Sequence, residues 1–274
     1  MKSNYRYIVK AFMAMAVIAG TTSCDDFLDR EPMSSISPET YYSTAAQLEA
    51  NLNDEYPNVL PSFGQWTYGI FGEDKGTDNQ IEVNANDRYT QDRWKVPHSE
   101  SDNWKFERIY RINFFLSEAL PKFGEDMSGS QNTISGSVAT IKHYIGEMYF
   151  LRAYEYFKKL QLFGDFPIID QPLADEMEAL REASKRFPRN EVARFIISDL
   201  DKAYAYMSDV DMATTRINKD AAMLVKSRVA LFEATWLQNF KGTAFVPGGE
   251  GWPGASLHNN YQYPSGNLDN EVKY

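Results

Sequence analysis

Apolar residues recur at helical spacing through most of this chain, and the longest such stretch runs over 141–169 as IKHYIGEMYFLRAYEYFKKLQLFGDFPII. Ile141, Ile145, Met148 and Leu151 mark one helical face, and Ala153, Tyr154, Phe157 and Leu160 carry it onward. Gly146 and Ala153 lie two turns apart and leave room for a neighbouring helix to come close. Gly164 follows the last periodic position, where a residue free to take positive φ ends a helix. Pro167 forbids resumption and holds Phe166 extended.

The same reading predicts further helices on either side. A first covers 44–54, with Ala45, Leu48, Leu52 and Tyr56 on one side and Pro57 and Pro61 ending it. It follows a Ser37-Pro38-Glu39 start signature. A second opens at Ser101 or Asp102 as N-cap, turns Ile109, Ile112, Leu116, Ala119 and Leu120 inward, and is closed by Pro121 and Gly124. After the central helix, 171–188 is charged and partly helical. A fourth helix then spans 190–207, with Val192, Ile196, Leu200, Ala203 and Met207 inside. A fifth runs from Asn218 as N-cap to Phe240, with Ala222, Val225, Val229, Phe232 and Trp236 on one face and Ala221, Leu224, Arg228 and Leu231 beside it. The stretch 241–266 is Gly/Pro/Asn-rich loop, and 267–274 opens another helix with Asp269 as its cap. Alanines at close-contact positions on paired helices point to degenerate tetratricopeptide-like hairpins, although no strict 34-residue repeat is present. The fold class expected is mainly α, helical hairpins of that kind with long ordered loops.

One region breaks the pattern. Residues 62–102 have no sustained period and are full of Gly, Asn and Asp. A stretch this long without regular structure inside a compact domain is functional or disordered. Trp66, Tyr68, Phe71, Tyr89 and Trp94 are too sticky for disorder, so an ordered loop region and a binding surface are expected there.

The first residues read as an export signal occupying 1–23. Lys2, Arg6 and Lys10 form a basic segment, Ala11 to Gly20 an apolar one, and Thr21, Thr22 and Ser23 a run of small residues before Cys24. Ten apolar residues are too few to span a hydrocarbon layer, which needs roughly 20. Cys24 is the one cysteine in the chain, so no internal disulfide forms. Its place after the small residues resembles a lipobox whose thiol is acylated, with Thr21 where the commonest form has Leu. Each buried acyl CH₂ contributes about 0.8 kcal/mol, so two or three chains hold a domain firmly to a bilayer. Residues 24–43 then form a tether and 44–274 the helical domain.

Composition narrows the partners. Aromatic residues make up 14% of the chain (17 Tyr, 17 Phe, 5 Trp), enough rings for a core and for exposed platforms. The formal net charge is −10; without Lys2, Arg6 and Lys10 the remaining 25 basic residues face 38 acidic ones, a balance near −13. Nucleic acid, which needs Lys and Arg to displace counterions, is not an expected partner.

The pattern E-x-Y-F-L-R-A-x-x-Y-F, carried by Glu147, Tyr149, Phe150, Leu151, Arg152, Ala153, Tyr156 and Phe157, runs into the residues Leu162 to Ile169. It resembles the signature of the SusD/RagB family, and WKFERIYRINFFLSEAL over 104–120 resembles that family's second recurrent segment. The plain role of these residues is core packing. The resemblance implies a lipid-anchored protein of the Bacteroidetes outer membrane, exposed at the cell surface. It would bind oligosaccharide and deliver it to a SusC-like TonB-dependent transporter for nutrient uptake. Asp25 and Asp26 after Cys24 resemble the acidic signal for surface display. Family members are roughly twice as long, so the chain is expected to correspond to their N-terminal half or to a truncated gene product.

Catalytic chemistry finds little support. His98, His143 and His258 are scattered, with no H-E-x-x-H spacing, and the glycines of 248–254 lack the Lys-Ser/Thr of a phosphate loop. No G-x-S-x-G elbow exists. Glu73, Asp74, Asp78 and Asp87 could supply the two carboxylates of a glycosidase, but in so acidic a chain they read as solvated or backbone-bound. They also lack the EF-hand order of calcium ligands. No enzyme activity, cofactor or metal is expected. A sugar presents apolar C–H faces and a rim of hydroxyls, which suit flat rings beside planar amide, carboxylate and guanidinium groups. Asp78, Asn79, Arg88 and Trp94 are the glycan-binding residues selected on that chemistry. Trp104 and Trp236, on helices, are assigned to packing. The competing reading is a helical-repeat adaptor that binds protein or peptide in a groove without glycan.

Replacing Cys24 by Ala is expected to leave an unlipidated periplasmic protein. Labelled fatty acid incorporation and membrane fractionation check this, and retention of the variant in the outer-membrane fraction would refute the anchor.

Overall fold

The computed structural model describes residues 41–61, 80, 103–124, 126–208, 212 and 215–274. Met1–Tyr41 and Tyr42–Tyr274 form separate units, and all the described helices belong to the second. They are α1 (Ala45–Val59), α2 (Glu107–Phe123), α3 (Val138–Phe163), α4 (Met177–Ala183), α5 (Arg189–Tyr206), α6 (Lys219–Asn239) and α7 (Leu268–Lys273). A 3₁₀ turn covers Pro253–Ser256. Extended pairing among the described residues includes the isolated bridges of Thr44 with Ser135 and Phe166 with Phe187.

The central helix α3 starts where Ser137 Oγ accepts the Thr140 N–H and ends at Gly164, whose φ of 70° suits glycine. Its periodic face understates its burial. Seventeen of its 26 residues are buried, on every side of the cylinder, so it lies inside the array and not on its surface. The family-like residues Glu147 to Ala153, Tyr156 and Phe157 are all among them. α1, α2 and α5 pack around it. At Gly146 α5 comes close: a Cβ there would meet the Met207 amide nitrogen at 2.8 Å and the Ala203 carbonyl oxygen at 2.9 Å.

Cross-helix contacts give the directions. Gly146, early in α3, meets the end of α5, while Asp165, just past α3, accepts from the Arg189 N–H at the start of α5. Arg189 in turn grips Glu233 near the end of α6, and Asp201 meets Lys226 farther back. α3, α5 and α6 therefore alternate in direction, a tetratricopeptide-like series. α5 and α6 lie within a residue of their expected bounds, with Asn218 capping α6 through the Ala221 N–H.

Several expectations are corrected. α1 does not end at residue 54 but continues through Pro57 to Val59. A proline in the last turn forfeits one amide donor, and the Leu60 N–H still reaches the Tyr56 carbonyl at 2.9 Å. Its start is fixed by a capping box between Thr44 and Gln47. α2 likewise runs through Pro121 to Phe123, and it begins at Glu107; Ser101 and Asp102 lie outside the described residues. Trp104 precedes α2, packed edge-on against Phe106, Phe163 and Phe166, so its packing role stands but its helix does not. The cap of α7 is Asn267, whose side chain accepts the Asn270 N–H, whereas Asp269 pairs with Lys241 at 2.6 Å. On α6, Ala222, Val229, Glu233 and Leu237 are buried, while Leu224 and Leu231 are 72% and 66% exposed. That helix packs mainly on α5, with α7 over part of it, so only a narrow seam is covered.

The core also holds charge. Arg152 donates to both oxygens of Asp199 at 2.6 and 2.8 Å, to Asn113 Oδ1 at 2.9 Å and to the Asp170 carbonyl at 3.0 Å. Glu147 accepts from Arg216 at 2.8 and 2.5 Å and from the Tyr56 hydroxyl at 2.8 Å. His143 is buried beside it, its Nε2 3.0 Å from the Ile217 carbonyl and its Nδ1 accepting the Ser208 N–H at 3.2 Å. That ring is a structural tie within the core.

Gly146→Ala tests the close approach. Alanine gains about 1 kcal/mol of helix propensity, but forcing a methyl into the contact with α5 costs about 1–3 kcal/mol. A net loss of stability is expected, read as a lower urea midpoint with an unchanged slope; a midpoint at or above wild type would show that α5 yields.

Candidate functional site

Where α3 ends, four separated stretches converge. Gly164 turns the chain, Asp165 follows, and Phe166 pairs with Phe187 through N–H to carbonyl bonds of 3.2 and 3.0 Å. This pairing brings Arg186 and Arg189 beside the turn. Antiparallel packing sets the end of α6 against the start of α5, so Trp236 arrives there as well. The loop 241–257 then folds over, tied down because Trp236 Nε1–H donates to the Phe245 carbonyl at 3.0 Å. Together these stretches enclose a cleft of about 510 Å³, lined by Phe163, Asp165, Arg186, Trp236, Phe245 and Trp252 among others. Its size falls within the roughly 300–1,000 Å³ usual for small-ligand sites.

The floor is rigid because its polar groups satisfy one another. Asp165 accepts the Trp252 Nε1–H at 2.8 Å through one oxygen and the Arg189 backbone N–H at 2.9 Å through the other. The Arg189 guanidinium binds both oxygens of Glu233, Nε at 2.9 Å and Nη2 at 2.9 Å, and lies 4.1 Å from the Trp236 ring centre. Burial pushes both the Asp165 and Glu233 carboxyls above the usual range, against the pull of these donors. Both oxygens of each carboxylate are engaged by the protein, so neither is placed to give or take a proton from a guest. His258 is tied too, its Nε2 2.8 Å from the Arg186 carbonyl. The rim differs from the floor. Leu162, Phe245 and Leu257 are more than half exposed around the mouth, and Gln161 and Arg186 are exposed beside them. The arrangement presents rings, an amide and a guanidinium to solvent, which is binding chemistry.

The residues selected from the sequence for glycan binding, Asp78, Asn79, Arg88 and Trp94, lie outside the described residues, as does Cys24. Trp236, assigned to packing, is half-buried and lines the cleft while stacked on Arg189. Trp252 escaped notice altogether. Its signal was present, a tryptophan inside a Gly/Pro loop, the same setting that singled out Trp94. Among the described residues no group of three His, Cys, Asp or Glu side chains is placed to hold a metal ion. No described helix is long and apolar enough to cross a membrane.

Comparison with known proteins bears on these features. Residues 26–231 match the SusD-like family profile described as starch-binding and associating with the outer membrane. SusD-like protein P2 of Formosa agariphila is 25% identical over 253 residues, covering 88% of this chain and 46% of that protein. SusD-like protein P25 of the same organism is 25% identical over 233 residues, covering 78% and 41% respectively. A crystal structure of a SusD-like protein from Bacteroides fragilis superposes with a TM-score of 0.51 at 21% identity, over 77% of this chain and 40% of that one, a likeness of fold. The chain thus spans less than half the length of these relatives.

Changing Asp165 to Ala removes the acceptor of two part-buried N–H groups and is expected to cost about 1–3 kcal/mol. Urea unfolding and tryptophan emission check this: a lowered midpoint with red-shifted emission is expected, and unchanged values would show that the 241–257 loop is held by other contacts.

Proposed function

The chain belongs to the SusD-like family, and from that membership we propose that it is a cell-surface lipoprotein anchored through Cys24. In this reading it captures oligosaccharide and delivers it to a SusC-like TonB-dependent transporter in the outer membrane. The single observation that carries the proposal is the family match over 26–231, three quarters of the chain, which takes in α1 to α5 and most of α6. Three physical features support it. The family-like residues of α3 are consumed in packing, so they specify a scaffold and leave recognition to loops. The chain is rich in rings and acidic overall, which suits sugar better than nucleic acid. The carboxylates at the described cleft are tied up in internal bonds, as holding a guest without cleaving it requires. Asp78, Asn79, Arg88 and Trp94 are proposed as glycan contacts on their chemistry.

The open apolar stripe of α6, Met223, Leu224 and Leu231, favours a second reading, a helical adaptor that docks a protein. The two separate cleanly. A glycan-binding screen on the purified chain should return an oligosaccharide, and Trp94→Ala should weaken that binding by about 1–3 kcal/mol, the scale of ring stacking on a planar partner. Retention on a protein partner with no glycan bound would instead establish the adaptor.

A further inference from the structure

The cleft beyond α3 carries a feature that its floor does not need. Arg186 is exposed at the mouth, and no carboxylate among the described residues lies within ion-pair distance of it. Its guanidinium rests 4.6 Å from the ring centre of Trp104, which holds the group in place while leaving its edges to solvent. Asp165 is the acid that feels its field, but both oxygens of that side chain are taken by Trp252 and by the Arg189 amide. Arg189 is neutralised by Glu233 beneath. In a chain of net charge −10, Arg186 stands beside exposed Phe245 and Leu257 with no ion-pair partner among the described residues.

We propose that this cleft is a saccharide subsite for an acidic sugar residue, one bearing a carboxylate or a sulfate ester. Phe245 and the exposed edge of Trp236 would take an apolar sugar face. The Arg186 fork would pair with the anionic group, and Gln161 would serve the neighbouring hydroxyls. The site rests on the reading of the chain as an oligosaccharide binder but is built from residues other than Asp78, Asn79, Arg88 and Trp94. The internal bonds of the floor keep the cleft shaped in advance, so a guest does not have to order it.

The test titrates the purified chain with an oligogalacturonide, with a sulfated oligosaccharide and with a neutral malto-oligosaccharide of equal length. Arg186→Gln and Phe245→Ala are compared with wild type; both positions are exposed and neither side chain supports the floor. The expected result is that at least one acidic oligosaccharide binds wild type, that Arg186→Gln weakens it about tenfold or more, and that added salt does the same. Phe245→Ala should weaken it comparably, and Arg186→Gln should weaken acidic binding more than neutral binding. Which acidic ligand responds distinguishes carboxylate from sulfate. Acidic ligands bound equally by wild type and both variants, or bound no better than the neutral one, would overturn the subsite. If neutral sugar binds and is lost only with Trp94→Ala, the subsite fails while the proposed function stands. If no sugar binds wild type at all, both fail together.

Discussion

A guanidinium taken out of water has to be matched along nearly all of its edges, and in this protein Arg152 is matched from three directions. Asp199 comes from α5, Asn113 from α2, and the Asp170 carbonyl from the extended tail beyond α3. The Tyr149 and Phe195 rings lie 5.3 and 5.2 Å from the guanidinium. Tyr156, one turn on, adds to the hold on the tail, its hydroxyl accepting the Ile169 N–H and donating to the Ile169 carbonyl. Breaking a buried pair of this kind by removing one partner costs about 3–5 kcal/mol, because the other charge is left stranded. The helices around α3 therefore share one register: α2, α5 and the tail all have to arrive for Arg152 to be satisfied.

The cleft is a consequence of that register. Once α5 is held antiparallel to α3, its first residue lies beside the turn that ends α3, and Asp165 and Arg189 meet. α6 returns antiparallel to α5, which sets Glu233 and Trp236 against the same arginine. Each of these ties uses a charge or an indole N–H that would otherwise be buried without a partner. A third arginine works in the same way at the far edge of α5, where Arg194 binds Glu271 of α7 at 2.6 and 2.9 Å. Burial alone would raise the Glu271 carboxyl, but hydrogen bonds from Arg194, Asn190 and Ser265 hold it below the usual range.

Paired and unpaired charge thus divide the protein into scaffold and surface. Inside, Arg152, Arg189 and Arg216 each meet a buried carboxylate, and the array tolerates them because their donors are used. Outside, exposed apolar side chains stand at several places among the described residues, the α6 stripe and the mouth of the cleft included. These are the places where the packing of the helices leaves something unfinished.

Much of the helical scaffold was legible along the chain because its signals are local. Periodicity placed α3, α5 and α6, Gly164 and Asn218 marked their ends through the needs of one turn of backbone, and the pattern around Arg152 pointed to the family. Local signals misjudged Pro57 and Pro121, since a proline forfeits only its own bond to the residue four back and the next amides still close the last turn. They also understated α3: core packing was expected of Glu147 and Arg152 from the family-like pattern, but its single apolar face gave no hint that Glu155 and Lys159 would be buried as well. The glycan residues chosen from 62–102 lie outside the described residues, while the cleft that is described draws on 161–165, 186–189, 236 and 244–257. Nothing in the spacing of those segments says that they meet. Their meeting follows from the alternating directions of three helices and from ion pairs that form only when those helices are already side by side. Sequence by itself determined which stretches are helical and marked such ends as Gly164 and Asn218, because those energies are settled within a few residues. Tertiary structure alone decided which charges are buried and which loops share a cleft, because those energies exist only between distant parts of the chain.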